Sequence, residues 1–86
     1  MALTLEIVTP EARVYSDTVD TVVIPTVEGE IGLMAGHEPI LAILAEGQVR
    51  ITRADGSKIL ANAQDGFLSM ENDDLTIVAG NAALVA

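Results

Sequence analysis

Apolar residues in this chain recur at every second position, and turn-forming residues break the pattern at a spacing of roughly 8–12 residues. Period two places successive side chains on opposite faces of a strand. Leu3, Leu5 and Ile7 alternate with Thr4, Glu6 and Val8, and Pro10 ends that strand because it has no amide to give a ladder. Val14 and Tyr15 form a short run closed by Ser16-Asp17. Val19 to Ile24 is a β-branched run closed by Pro25, with Val22 and Ile24 on one face and Val19 and Val23 on the other. After a turn at Val27 to Glu30, Ile31 to Met34 reads as a short strand and Ala35 to Pro39 as a loop. Val49, Ile51 and Arg53 alternate with Arg50 and Thr52, and Asp55-Gly56 suits a hairpin turn needing positive φ before the return strand Lys58 to Ala63. Phe67 to Met70 and Leu75 to Ala79 form a second hairpin around Glu71-Asn72-Asp73-Asp74. For Ile40 to Ala45 both a strand and a helical turn stay open, and Ala82 to Ala86 is an apolar tail that fits a strand or a helix stub. No segment carries a helical stripe. The expectation is one all-β domain over residues 1–86, a flattened sandwich or barrel of about 8–10 short strands.

Composition excludes several function classes. Half of the 86 residues are hydrophobic (50%), enough to fold. Thirteen acids against four bases give a net charge of −9, which repels phosphate backbones and anionic lipid and favours a basic protein surface as partner. Tyr15 and Phe67 are the two aromatics, too few for base stacking, so no nucleic acid is expected. With no cysteine there are no disulfides, thiolate metal sites or thiol nucleophiles, and a reducing compartment is expected. The longest apolar run, Ile40 to Ala45, falls far short of the roughly 20 residues of a membrane span, and the N-terminus lacks the basic region of a signal peptide. A soluble, cytoplasmic chain without lipid insertion is expected.

No catalytic constellation emerges. His37 is the single histidine, and Ser16, Ser57 and Ser69 lie outside any G-x-S-x-G elbow, so a contact or structural role is expected for His37. Glu71 to Asp74 lacks the glycine and distant glutamate of an EF-hand loop and reads as a hairpin tip. The glycines form no phosphate cradle, so no nucleotide or other cofactor is expected. Arg50, Arg53 and Lys58 flank one hairpin and read as cross-strand partners of acids. What remains is the stretch from Glu28 to Pro39, with Gly29, Gly32 and Gly36 as loop glycines that allow sharp bends or close approach.

That stretch resembles the signature of the F-type ATP synthase epsilon subunit, whose N-terminal domain carries P-x-x-x-G-E-x-G-[IL]-x-P-G-H-x-P-[IL]-[IL]. Here it stands as Pro25, Gly29-Glu30, Gly32-Leu33, Gly36-His37, Pro39 and Ile40-Leu41. Leu5 to Glu11, Val14-Tyr15-Ser16, Val19 to Val22, Glu46 to Ile51, Gly66-Phe67-Leu68 and Leu75 to Ala79 follow in the family's order, so the likeness spans nearly the whole chain. It departs at Ala35 and Glu46, where the family has proline, and at Asp65-Gly66, where it has two glycines. The family continues into a C-terminal helical hairpin, which in some members inhibits ATP hydrolysis or binds ATP; the chain here ends at Ala86, and the expectation is a form without it.

The resemblance implies a non-catalytic rotor component in the central stalk, which binds the gamma subunit and the c-subunit ring and helps couple proton flow to ATP synthesis. By matched position, Glu28, Gly29 and Glu30 would face the c ring, whose polar loop carries an arginine. Thr9, His37 and Ala42 would face gamma, and Val19 and Val23 would belong to a covered outer face. The implied location is the cytoplasmic face of the bacterial inner membrane, with the chloroplast stroma as the organellar counterpart. Two other classes stay open: an adaptor sandwich for another basic protein, and a small hydrolase built around His37.

Overall fold

A computed structural model describes residues 2–85. Among the described residues seven strands run in order: β1 (Leu3–Val8), β2 (Arg13–Thr26), β3 (Gly29–Met34), β4 (Ile40–Ile43), β5 (Gly47–Arg53), β6 (Lys58–Glu71) and β7 (Asp74–Val85). The all-β expectation holds, and the strands are fewer and longer than expected. β2 continues through Ser16-Asp17, β6 joins Lys58–Ala63 to Phe67–Met70, and β7 absorbs the apolar tail as far as Val85. Ala86, the tail's end, lies outside the described residues. Polar pairs that look like turns in one dimension are outward-facing or bent strand positions here. Ile40 to Ile43 resolves as strand because it pairs antiparallel with Phe67 to Met70.

Pairing closes on itself. β1 joins β7, β7 joins β6, β6 joins β5, β5 joins β2, and β2 returns to β1, with β3 attached along β2 and β4 along β6. β1–β7 is parallel and the other pairs are antiparallel. The long strands bend, so each serves two layers. One layer holds β4, the second half of β6, the first half of β7, β1 and the start of β2. The other holds β3, the end of β2, β5, the first half of β6 and the end of β7.

Between the layers lie Leu3, Leu5, Ile7, Val19, Val22, Ile24, Val49, Ile51, Leu68 and Ile77, all fully buried or nearly so. Each such side chain contributes about 1.5–3 kcal/mol by leaving water. Val19 corrects the expectation from alternation, which set it on the face opposite Val22. The β2–β5 register runs from Val19↔Arg53 to Thr21↔Thr52, leaving Asp20 as an extra residue. A bulge of this kind shifts the alternation by one, so Val19 and Val22 both point inward. Val23 keeps its outward face and is half-buried.

A backbone irregularity sits where β6 passes from layer to layer. Asp65 has φ +62°, and register resumes with Gly66↔Ala79 beyond it. This is the position at which the family pattern carries glycine. A left-handed conformation costs a residue with Cβ roughly 1–2 kcal/mol, somewhat less for aspartate. Asp65→Gly is therefore expected to raise stability by about 0.5–1 kcal/mol, after the greater unfolded-chain freedom of glycine is subtracted. A urea midpoint below that of the parent chain would contradict this.

Candidate functional site

The residues matched to partner contacts fall on two regions of this scaffold. The first is the turn between β2 and β3. Thr26 Oγ1 donates to the Gly29 carbonyl at 2.5 Å and accepts from the Glu28 amide at 3.2 Å, so one hydroxyl pins both sides of the turn. Gly29 has φ +119°, a conformation open to glycine. Glu28 and Glu30 are exposed on this braced turn. Glu30 is also ion-paired within the chain: its carboxylate meets Arg50 of β5 across the intervening strand β2. Sequence reasoning treated Arg50 as a cross-strand partner of some acid, and the register identifies that acid.

The second region is the outer surface of the layer containing β4. Residues in register share a face, and one row runs Val8, Val78, Phe67, Ile43 across β1, β7, β6 and β4. Val27 adjoins it, its amide donating to the Ile43 carbonyl at 3.1 Å. Phe67, Ile43 and Val27 are 41%, 57% and 65% exposed, and neighbouring Leu41 is 72% exposed. Together these side chains form an exposed apolar patch on an otherwise acidic protein.

The three gamma-matched residues relate differently to this surface. Thr9 follows β1 directly, and its amide and hydroxyl both donate to the Ala12 carbonyl, at 2.8 and 3.2 Å, closing the β1–β2 turn beside Val8. Ala42 packs against the core, so its strand presents Leu41 and Ile43 outward instead. His37 lies beyond the other end of β4, half-buried in the β3–β4 loop. Its amide donates to the Met34 carbonyl at 3.2 Å, and its Nδ1 donates to the Glu38 carbonyl at 2.6 Å. A backbone carbonyl in that place, rather than a serine and a carboxylate, is not the arrangement of a hydrolytic triad.

The loop is held by a residue that sequence reasoning missed. Asp73, at φ +63° in the β6–β7 turn, accepts the Gly36 amide on its carboxylate at 2.7 Å and the Thr4 amide on its carbonyl at 2.8 Å. Asp73 thus ties the His37 loop to the hairpin tip and to β1. A hairpin tip gives no sequence signal for a contact 37 positions away. Of the three glycines expected in loops, only Gly36 lies in one; Gly29 opens β3 and Gly32 sits within it, because the strand begins directly after the two-residue turn. Gly36 has φ +88° and Gly29 φ +119°, whereas Gly32 lacks positive φ and has open space around it, so nothing local demands glycine there.

Two ionisable groups are shifted by their surroundings. Asp55 is held below the usual carboxylate range by hydrogen bonds from the Ser57 hydroxyl and amide, which stabilise the hairpin turn. Tyr15 is raised by burial and by its hydrogen bond to Asp17. Both are structural, and neither lies in the two regions above.

Comparison with known proteins bears on the chain as a whole. The family model "ATP synthase, Delta/Epsilon chain, beta-sandwich domain" matches residues 2–85. The ATP synthase epsilon chain of Rhodococcus opacus is 47% identical over 83 residues, 95% of this chain and 68% of that protein. The epsilon chain of Micrococcus luteus is 40% identical over 82 residues, 95% of this chain and 90% of that protein. Among solved structures, a chain of the Euglena gracilis mitochondrial ATP synthase, described as OSCP/F1/c-ring, superposes with a TM-score of 0.91 at 25% identity. It is matched over 96% of this chain and 53% of its own length, so the present chain spans about half of it. A chain of the Tetrahymena thermophila central stalk and c-ring shares the fold, with a TM-score of 0.74 at 13% identity over 92% of this chain and 63% of its own. The chain belongs to the ATP synthase delta/epsilon β-sandwich family, a family of non-catalytic subunits of the rotary ATP synthase.

Proposed function

We propose that this domain is a central-stalk component that binds the gamma subunit through the outer face of the β4–β6–β7–β1 layer and meets the c ring through the Glu28–Glu30 turn. In that place it helps couple ion flow to ATP synthesis, as part of a complex peripheral to the membrane, on the cytoplasmic face in bacteria. The observation that carries the reading is the apolar row Val8, Val78, Phe67 and Ile43 with Val27 beside it. A stalk subunit needs a broad dry surface against its neighbour, because apolar area removed from water supplies most of the association energy. Thr9 borders that row, and the His37 loop lies past the far end of β4. The acidic turn supplies the opposite kind of contact, two carboxylates displayed for a cationic partner.

Titration of the chain against purified gamma subunit tests the reading. Tight one-to-one binding is expected, with a negative heat-capacity change reporting apolar burial. Absence of binding between folded partners would overturn it and favour an adaptor that uses this fold for a different basic protein.

A further inference from the structure

We infer that Arg50 tunes the affinity of the Glu30 carboxylate for a cationic partner, acting as a built-in competitor. The inference rests on the proposed role of the Glu28–Glu30 turn. Glu30 and Arg50 stand on the two strands flanking β2, at the positions registered to Pro25 and Val23, and both project from the same outer face. Their side chains meet while 58% and 48% exposed, so the pair stays in water and exchanges partners readily. The other arginines are committed elsewhere: Arg13 Nε lies 2.9 Å from Glu6, and Arg53 Nε lies 3.4 Å from Asp17. Lys58 Nζ points to Thr52 Oγ1 at 3.5 Å. Arg50 is thus the cation seated on the candidate ring-facing acid.

An arriving guanidinium has to displace Arg50 or share Glu30 with it. In both cases the charge of Arg50 repels the newcomer and cancels part of the attraction of Glu28 and Glu30. The Thr26 hydroxyl, not Arg50, holds the turn in shape. Removing Arg50 therefore frees the acid without loosening the backbone that displays it.

The test is binding of the chain, with gamma present, to purified c ring in detergent at low and moderate salt. Glu30→Gln is expected to weaken binding about fivefold or more. Arg50→Gln is expected to strengthen it about two- to fivefold and to steepen its salt dependence. Loss of Arg50 should strengthen binding less in the Glu30→Gln background than in the parent, since only its charge repulsion, and no shared carboxylate, is then left to relieve. Unchanged or weakened binding in Arg50→Gln, with Glu30→Gln still impaired, would overturn the competitor role and leave the ring-facing turn standing. An unaffected Glu30→Gln would overturn the ring-facing turn and the competitor role with it. Circular dichroism melts of each variant, expected to match the parent because both side chains are exposed, separate these outcomes from misfolding.

Discussion

Replacing Gly66 with alanine is expected to remove about half or more of the domain's folding stability. A Cβ placed there would lie 1.7 Å from the Val78 carbonyl oxygen and 2.8 Å from the Ala79 Cα. Both obstacles are backbone, so no side chain can swing aside, and β6 and β7 would have to part at the bend they share. Parting them breaks ladder hydrogen bonds and opens the core around Leu68 and Ile77. A cost of about 4 kcal/mol or more follows, set against a total of roughly 5–10 kcal/mol for a domain this small. Gly32→Ala is the control: it has open space and lies in ordinary strand backbone, so it should change stability by less than about 0.5 kcal/mol. Urea denaturation of the two variants reads the contrast, and a Gly66→Ala midpoint near that of the parent would contradict the geometry.

The second large effect concerns the apolar row. Ile43→Glu and Phe67→Glu are each expected to weaken gamma binding about 100-fold or more, because each sets an unpaired carboxylate in a dry interface as well as deleting apolar area. At 57% and 41% exposure neither side chain is part of the core, so the free variants should melt within a few degrees of the parent. Asn62→Glu, on the exposed face of the other layer, should leave binding unchanged. Affinities within threefold of the parent for both row variants would mean that gamma, if bound at all, sits on another face.

How much of this was legible in sequence depended on how local its cause was. Alternation marked β1 and β5 and their inward residues correctly, because Leu3-Leu5-Ile7 and Val49-Ile51 each follow an undisturbed period of two. The Asp55-Gly56 hairpin was equally plain, since its cause is turn chemistry within four residues. The bulge at Asp20 was not, because an extra residue is defined only against a partner strand. Nor was the bend at Asp65, where an aspartate occupies a conformation better suited to glycine. Gly29 and Gly36 do have positive φ, though Gly29 opens β3 rather than lying in a loop, while the tight fit of Gly66 has no local sequence cause. At the candidate site the motif led to Glu28-Gly29-Glu30 and His37. It could not show that Leu41 and Ile43, rather than Ala42, face outward, or that Asp73 reaches Gly36 and Arg50 reaches Glu30. Those facts need the register of strands far apart in the chain.

The parallel pairing of β1 with β7 has a consequence for how the molecule is made. Thr4 to Val8 lie beside Asp74 to Val78, seventy positions further along the chain, and this seam closes the ring of strands. A ribosome releasing the chain from its N-terminus therefore delivers β1 long before its neighbour exists. Until then Leu3, Leu5 and Ile7 have only β2 to shelter them, and the free edge of β1 is open to strands from other molecules. Contacts this distant in sequence also slow the search for the native pairing. Birth of this domain is thus a late, all-at-once event, and the interval before it is when the chain most needs protection from its own kind.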